Sequence, residues 1–333
     1  MKQLSKHLQA AVSLALLTPA EAGCGLIMPV YGNNSAQYSA ALSAAGRVPL
    51  IVVINPDDGP TWGTIGSIRS FTNAVKAKGA EVTGYINTYY GGLSYDEAEE
   101  QMDLYKNQYG VHGIFIDEMA VNRLSYYREI RSRAADRGLY LIGNPGTNVS
   151  SSHASIMRII VTFENPYSRG WSSYQNVSWR GAFSDDKFGA IVYSTAGANM
   201  TASVDRALAQ KYGWIYVTEQ NEPDPFGKAP SYWNEEVNYV IRANLPPPVP
   251  ANIFVVTSTT RSADGTWTLT FPSAPGRTYA IQTCTDLKTW IPATLPGTSG
   301  LAQTVAVGTS TSLRAAQTSG PPCAFFRVAD VTP

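Results

Sequence analysis

Eight short apolar runs, each ending in a polar residue, constrain the fold of this chain more than any other feature. The runs are rich in Val, Ile and Tyr and nearly continuous, which is typical of strands buried on both faces of a parallel sheet. They cover residues 25–31, 49–55, 82–88, 112–118, 139–144, 158–164, 189–194 and 213–219. Helical patterns lie between most of them. Eight strand–helix units in roughly 220 residues match the size of a (β/α)₈ barrel, which is the predicted fold.

Helical patterns between the runs support this interpretation. Residues 65–78 carry apolar side chains at helical spacing and are followed by Gly79 as a stop signal, and residues 95–109 and 121–137 have the same pattern. A doubly wound open sheet is the main alternative. Because no G-x-G-x-x-G turn follows the first run, a dinucleotide-binding version of that sheet is not supported.

The chain divides at a proline-rich segment, residues 244–252, which cannot continue a helix or a central strand. Residues 23–243 form the predicted catalytic barrel. Residues 253–333 are richer in Thr, Ser, Val and Gly and predict a small antiparallel β-sandwich. Its predicted strands are 253–258, 266–271, 278–284, 303–307 and 323–328.

The first 22 residues resemble a signal peptide. They combine a basic start, a short apolar stretch at 9–17 and a small-x-small site at 20–22, so we expect a secreted protein, extracellular or periplasmic. A lipid anchor on Cys24 is the alternative, although Glu21 suits it poorly. The apolar stretch is too short to cross a bilayer, and no other segment predicts a membrane span.

Charge and cysteine content exclude several classes. The 25 Lys and Arg balance the 25 Asp and Glu, so nothing predicts a nucleic-acid or anionic-membrane partner. The three cysteines and three histidines are scattered, so we expect no metal and no cofactor. Cys284 and Cys323 both lie in the C-terminal segment and are the plausible disulfide pair, which leaves Cys24 over.

Polar side chains end all eight runs. They are Tyr31, Asn55, Asn87, Asp117 with Glu118, Asn144, Glu164, Ser194 and Glu219. One polar strand end means little, since loops begin there. In a (β/α)₈ barrel, however, the carboxyl ends of all strands converge on the face that carries the active site, so eight of them favour a functional interpretation.

Hydrolysis of a glycosidic bond needs one carboxylic acid to protonate the leaving oxygen and a second carboxylate to attack the sugar or activate water. Asp117, Glu118 and Glu164 are the candidate catalytic acids, because the fourth and sixth strands are close enough for their tips to face each other. Their separation, and therefore retention or inversion, stays open. The alternative for the Asp117–Glu118 pair is an acidic cap of the next helix.

Other strand-end residues suit sugar binding. Tyr85, Tyr89 and Tyr90 could stack on sugar rings, and Asn144 could recognise a hydroxyl group. Glu219 could be a third acid, a sugar ligand or a carboxylate that organises its loop. The full set of candidate substrate-binding residues is Tyr31, Asn55, Tyr85, Asn87, Tyr89, Asn144 and Glu219.

Several motifs together resemble the spherulin 4-like proteins, glycoside hydrolase family 135. They are Ile27-Met28-Pro29-Val30-Tyr31, Ile51-Val52-Val53-Ile54-Asn55-Pro56, Val82-Thr83-Gly84-Tyr85-Ile86-Asn87 and Gly113-Ile114-Phe115-Ile116-Asp117-Glu118. The resemblance implies a barrel that cleaves α-1,4-linked N-acetylgalactosamine polymers. It assigns an Asp-Glu acid pair to Asp117 and Glu118 and a further acid to Glu164, with Glu219 as the competitor. The segment Gly59-Pro60-Thr61-Trp62 departs from the family, in which a Gly commonly follows the Pro.

The C-terminal segment resembles β-sandwich modules of secreted bacterial proteins, through Tyr279-Ala280-Ile281-Gln282 and Phe325-Phe326-Arg327-Val328. This resemblance implies contact with a cell surface or polysaccharide, or a plain spacer. We therefore expect a secreted, endo-acting glycoside hydrolase of α-1,4-linked N-acetylgalactosamine or galactosamine polysaccharide. The alternatives are a glycosidase of another exopolysaccharide and a non-catalytic carbohydrate-binding surface protein.

Overall fold

The computed structural model describes residues 23–245, 256–285, 289–316 and 325–332, which fall into two compact units. The first unit ends at Ser231, and eight parallel strands in it close into a barrel in sequential order. The strands are β1 (Gly25–Tyr31), β2 (Leu50–Asn55), β3 (Glu81–Asn87), β4 (Gly113–Asp117), β5 (Tyr140–Gly143), β6 (Ile159–Pro166), β7 (Phe188–Tyr193) and β8 (Trp214–Val217). The predicted (β/α)₈ barrel is confirmed.

The strands are apolar along their whole length because both of their faces are covered. Every residue of β2 and of β7 is buried. Helices follow the strands on the outside, while the alternate side chains fill the interior of the barrel. The helices of this unit are α1 (Ser35–Ala44), α2 (Ile65–Ala77), α3 (Tyr95–Leu104), α4 (Leu124–Asp136), α5 (Ser151–Ile156) and α6 (Met200–Ala209).

The helix predicted at 95–109 has two parts. Helix α3 begins with a capping box, in which the Ser94 hydroxyl accepts from the Glu97 N–H and the Glu97 carboxylate accepts from the Ser94 N–H. After Leu104 the chain continues as a π turn, Tyr105–Tyr109, and stops at Gly110, whose φ of 71° suits glycine. Two buried tyrosines, Tyr105 and Tyr109, fill this wider turn.

The second unit begins at Tyr232 and contains α7 (Trp233–Ala243) and two small antiparallel sheets. Its strands are β9 (Ser258–Arg261), β10 (Trp267–Pro272), β11 (Thr278–Cys284), β12 (Ile291–Pro292), β13 (Gln303–Val305), β14 (Ser310–Ala315) and β15 (Phe325–Asp330). One sheet has the order β14-β10-β9, and β11 pairs with β12, β13 and β15 in the other. Phe271, Tyr279 and Leu313 belong to one core to which both sheets contribute, so the predicted small β domain is confirmed.

Several predictions lie outside the described residues. These include the signal peptide at 1–22, most of the linker at 244–252 and Cys323, so the disulfide stays a prediction, with the Cys284 side chain buried. Cys24 is also buried, its thiol against the Gly25 carbonyl. A lipid on its sulfur would require that side chain to leave this position. In the described parts of the chain, no helix is both long and apolar enough to cross a membrane.

Candidate active site

Three side chains at the tips of neighbouring strands bond to one another at the carboxyl end of the barrel. The Asn144 amide nitrogen, just after β5, donates a hydrogen bond of 2.8 Å to Asp117 Oδ1 and a second, short one to Glu164 Oε2. Asn144 is buried between these acids, which are carried by β4 and β6. We call Asp117, Asn144 and Glu164 the acid cluster.

A tyrosine from β3 completes the surroundings of Asp117. The Tyr85 hydroxyl donates to Asp117 Oδ2 at 2.7 Å, so both carboxylate oxygens of Asp117 accept a hydrogen bond. Tyr85 is buried and packs edge-on against Tyr31 at the tip of β1, with ring centroids 5.8 Å apart. Tyr85 is therefore directed to the acid cluster by packing on one side and by its hydroxyl on the other.

The two acids of the cluster perturb each other's titration. Burial, followed by the nearby Asp117 charge, raises the pKa of Glu164 to about 8. Burial also raises the pKa of Asp117, but hydrogen bonds from Tyr85, the Glu118 backbone and Asn144 oppose this effect. Two carboxylates so close cannot both ionise easily. Because Asp117 accepts more hydrogen bonds that favour its anion, it is the more readily ionised of the two acids.

Glu118 follows Asp117 in a strained conformation. Its φ is 45°, in the left-handed region that non-glycine residues rarely adopt. Its carbonyl accepts from the Tyr90 N–H at 3.0 Å, and its carboxylate accepts from the side chain of Asn87. Burial and the neighbouring Asp117 raise the pKa of the Glu118 carboxyl. This turn lets two consecutive acids face the same end of the barrel, although adjacent residues of a strand point to opposite faces.

Three other polar strand ends bond mainly to the loops that follow them. Asn55 Oδ1 accepts from the Gly59 N–H at 2.8 Å, and Asn87 Oδ1 accepts from the Tyr89 N–H at 2.8 Å. After β8, Glu219 Oε1 accepts from the backbone N–H of Ser231 at 2.8 Å and from the Gln220 side chain at 2.9 Å. We call Asn55, Asn87 and Glu219 the loop-holding residues. Asn55 also hydrogen-bonds the Tyr31 hydroxyl, and the pKa of Tyr31 is raised, first by burial and then by Asp117.

Two exposed tyrosines follow β3 at the rim of the barrel. Tyr89 and Tyr90 both have positive φ, and their exposed fractions are 55% and 64%. The Tyr89 hydroxyl reaches Asp58 of the β2 loop at 3.5 Å, and Asp58 also has a positive φ. Their rings are exposed, and their role in stacking on sugars stays a prediction, whereas Tyr85 is buried and bonded to Asp117.

The sequence analysis did not identify Tyr193 and Glu222. The Tyr193 hydroxyl, at the end of β7, donates to Glu222 Oε1 at 2.7 Å. The negative charge of Glu222 contributes to the raised pKa of Glu164, so Glu222 lies close to the acid cluster. Burial and Glu222 raise the pKa of Tyr193 to about 12. The run of acids after β8, Glu219 and Glu222, was the available signal, but it did not say which of the two faces the site.

The arrangement can supply a proton from Glu164 and an anionic oxygen from Asp117 to one bound molecule. Asn144 keeps the two acids in place, while Tyr85 and the Glu118 backbone stabilise the Asp117 anion. Across the described residues no group of three His, Cys, Asp or Glu side chains has the arrangement needed to hold a metal ion.

Comparisons with known proteins agree with this fold. Residues 26–240 match the model of the Spherulin4 family, described as spherulation-specific family 4. Spherulin-4 of Physarum polycephalum is 28% identical over 209 residues, which are 58% of this chain and 63% of that protein, so the chain spans less than two thirds of this relative. The crystal structure of Aspergillus clavatus Sph3 in complex with GalNAc aligns with a TM-score of 0.54 and 20% identity, over 66% of this chain and 98% of that one.

Proposed function

This chain belongs to the Spherulin4 family, as its motifs predicted, and we propose that it is a secreted glycoside hydrolase of α-1,4-linked N-acetylgalactosamine or galactosamine polysaccharide. The observation that carries the proposal is the acid cluster. A protonated carboxyl and an ionised carboxylate, joined by one amide at the active face of a barrel, are the two groups that glycosidic hydrolysis requires.

In this mechanism, Glu164 is the general acid. Its pKa of about 8 keeps it protonated at neutral pH, so it can donate its proton to the leaving glycosidic oxygen. Asp117 is the ionised partner that attacks the anomeric carbon. Tyr85 and Asn144 orient its two oxygens, which leaves fewer conformations to lose when the sugar binds.

The separation of the acids favours retention of configuration. Asp117 Oδ1 and Glu164 Oε2 accept hydrogen bonds from the same nitrogen, so these two atoms are closer together than the roughly 6.5 Å or more that inverting enzymes need between their carboxyl groups. Asp117 would form a covalent glycosyl intermediate while the leaving group takes the Glu164 proton. The Glu164 carboxylate would then accept a proton from the water that releases the sugar.

The substrate follows from chemistry and from the relatives. In an α-linked 2-acetamido sugar the acetamido group is cis to the leaving oxygen, so it cannot attack from the opposite face and the protein must supply the second carboxylate. The Sph3 structure is a complex with GalNAc, and the residues that resemble the family include Asp117 and Glu118. These points support N-acetylgalactosamine units as the substrate. The signal peptide predicted at residues 1–22 supports secretion.

The test measures reducing-end release from purified α-1,4-linked galactosaminogalactan, acetylated and deacetylated. Wild type is compared with Glu164→Gln and Asp117→Asn, and Glu219→Gln is the matched control, an acid from another strand end. We expect both cluster variants to lose about 10³-fold or more in rate, and the control to stay close to wild type. A β-configured first product from the α-linked polymer, detected by NMR, would contradict retention.

Two outcomes separate the alternatives. Binding of polymer without release by wild type would point to a carbohydrate-binding protein. Release from a different exopolysaccharide, with the same loss in Glu164→Gln and Asp117→Asn, would keep the hydrolase and replace the sugar. Full activity of Glu164→Gln would overturn the assignment of Glu164 as the acid.

A further inference from the structure

The side chain of Trp62 is largely exposed, although hydrogen bonds hold the backbone of its loop in place. Trp62 follows β2 in the segment Gly59–Trp62, and its exposed fraction is 72%. It begins a single 3₁₀ turn, Trp62–Thr64. Trp62 is not part of the acid cluster.

The loop of Trp62 is clamped to the π turn. The Tyr109 hydroxyl accepts from the Thr61 N–H at 3.2 Å and donates to the Thr61 carbonyl through a short hydrogen bond. Tyr109 itself is fully buried. The residue just before Trp62 is therefore fixed at both of its backbone polar groups, so the exposure of the indole is a built feature of the fold.

Next to Trp62 lies a cavity of about 480 Å³ on the outer wall of the barrel. It lies between the β2 loop on one side and the second half of α3 with the π turn on the other. Besides Trp62, its polar lining consists of Glu100, Gln101, Asp103, Asn107 and Gln108. Since α3 runs away from the mouth of the barrel, this cavity extends below the rim, and none of its lining residues belongs to the acid cluster.

The walls of this cavity are held in place from behind. Arg69 of α2 donates to the carbonyl oxygens of Asn107 and Gln108, each at 2.5 Å. Arg137, directly after α4, binds both carboxylate oxygens of Asp103, at 2.9 and 3.0 Å. The side chains of Asn107 and Gln108 take no part in these contacts. The cavity is thus preformed, which is typical of a ligand site.

One acceptor beside the cavity has no partner. In the described part of the chain, the buried Gln101 Oε1 accepts no hydrogen bond. It lies so close to Gly59 that a Cβ there would come within 3.2 Å of it, at the junction of loop and cavity. A buried acceptor without a donor costs free energy, so this junction is not optimised for stability alone.

From these observations we infer that the Trp62 cavity is an additional sugar-binding site, which holds a segment of the same polysaccharide away from the acid cluster. An indole face stacks on the apolar face of a sugar ring, while the amides and carboxylates around it accept and donate to hydroxyl and acetamido groups. The lining contains no Lys or Arg for a phosphate, and its apolar part consists of Pro60, Trp62 and Leu104, which is a small surface compared with a lipid chain but fits one face of a sugar ring. This inference rests on the proposed function for the identity of the polymer.

Such a site changes how the protein handles long chains compared with short ones. A polymer leaving the mouth over the β2 rim could occupy the Trp62 cavity while the acid cluster holds another unit. A trisaccharide bound at the acid cluster is the short substrate that we expect not to reach Trp62. The site would therefore lower KM for the polymer and leave kcat unchanged, because stacking at Trp62 is equal in the ground state and the transition state.

The experiment uses the full chain in two forms. In the Glu164→Gln background, which separates binding from turnover, polymer affinity is measured with and without Trp62→Leu and Trp62→Tyr. Leu keeps apolar bulk but removes the flat ring, and Tyr keeps the ring, so the two are matched. We expect Trp62→Leu to weaken polymer binding about tenfold and Trp62→Tyr to restore most of it. Asn107→Ala, which keeps the backbone held by Arg69, should weaken it by a smaller factor.

In the active protein, Trp62→Leu should raise KM for the polymer but not for an α-1,4-linked N-acetylgalactosamine trisaccharide. Equal polymer binding by Trp62→Leu and its parent would overturn the inference, as would no binding by the parent or equal losses on polymer and trisaccharide. Absence of reducing-end release by wild type would overturn the proposed function alone. A binding difference between Trp62→Leu and Trp62→Tyr would still establish the site.

Discussion

The polar strand ends of the barrel behave in two different ways. In the acid cluster, Asp117 and Glu164 bond to the Asn144 between them, and two of the three partners are titratable. The loop-holding residues, by contrast, bond mostly to backbone N–H groups of their own loops, as Asn55 does to Gly59. Both groups lie at the same face and include an acid and an amide. Residue type and strand position are therefore not enough to assign chemistry, and the bonded partner decides.

The two groups also differ in their effect on the stability of the folded protein. A carboxylate that accepts hydrogen bonds from exposed backbone N–H groups stabilises its loop. A carboxyl enclosed beside another acid has its pKa raised, as Glu164 does, because ionising it there is unfavourable. Unfavourable burial of an ionisable group is typical of functional sites, whereas the loop-holding residues stabilise the loops around the site. The following variants test that distinction.

The largest contrast is expected between two asparagine variants. Asn144→Ala removes the amide that spaces the acids, so kcat/KM should fall about 100-fold. Since the Asn144 hydrogen bond lowers the pKa of both Asp117 and Glu164, both limbs of the pH profile should move to higher pH. Asn55→Ala should change kcat/KM by less than about fivefold and leave the limbs in place. Equal effects of the two would erase the distinction.

A tyrosine pair gives the next largest effect. Tyr85→Phe removes one hydrogen bond to the Asp117 anion, so kcat/KM should fall about tenfold. The pKa of Asp117 should rise, which moves only the low-pH limb to higher pH. Tyr89→Phe is the control, because that hydroxyl reaches Asp58 at the rim. An unchanged low-pH limb in Tyr85→Phe would show that Asp117 is not the group that must be ionised.

Stability should move in the opposite direction to activity at the acid cluster. The pKa of Glu164 is about 8 in the folded protein and near 4.5 when unfolded, so the native state binds more protons between these values and loses stability as pH rises through them. Glu164→Gln cannot ionise. Its Tm should therefore exceed that of wild type by several degrees at pH 8, with little difference at pH 4.5. A gap that does not grow with pH would contradict the raised pKa.

The smallest effect is expected for the loop-holding acid. Glu219→Ala removes the acceptor for the Ser231 N–H and the Gln220 side chain. The free energy of unfolding should fall by about 1 kcal/mol, measured in urea, while kcat/KM stays within a few-fold of wild type. Loss of activity comparable to that of Asn144→Ala would move Glu219 into the acid cluster and restore its role as a competing catalytic acid.

The strands could be predicted from the sequence because each is buried on both faces, which leaves a nearly unbroken apolar run. The acids could be predicted because they interrupt such runs at their ends. The sequence predicted that the tips of β4 and β6 face each other, but the hydrogen bonds that join them through Asn144 could not be predicted, since strand tilt and stagger decide the neighbours of each tip. Asn144 was expected to contact sugar hydroxyls, and that role stays a prediction; the structure adds its bonds to Asp117 and Glu164.

Other features depend on tertiary contacts that leave little trace in the sequence. The sequence predicts one helix over residues 95–109 because Tyr105 and Tyr109 continue its apolar pattern. The last five of these residues form a π turn instead. Strand β14, Ser310–Ala315, alternates small and polar residues and was not predicted, although it pairs with β10 along its length. Glu222 follows a loop that returns to Tyr193, and nothing local indicates that return.

The π turn at Tyr105–Tyr109 has a consequence for how this protein could diverge. Such a turn holds one residue more than a turn of α-helix. Deleting a single residue inside this turn would convert the bond from the Gly110 N–H to the Tyr105 carbonyl into an ordinary α-helical bond, so α3 would continue regularly and Tyr109 would stay beside Thr61. The acid cluster lies on other strands and would keep its bonds. The π turn is thus a place where the chain can gain or lose one codon while both the acid cluster and the contact between Tyr109 and Thr61 are kept.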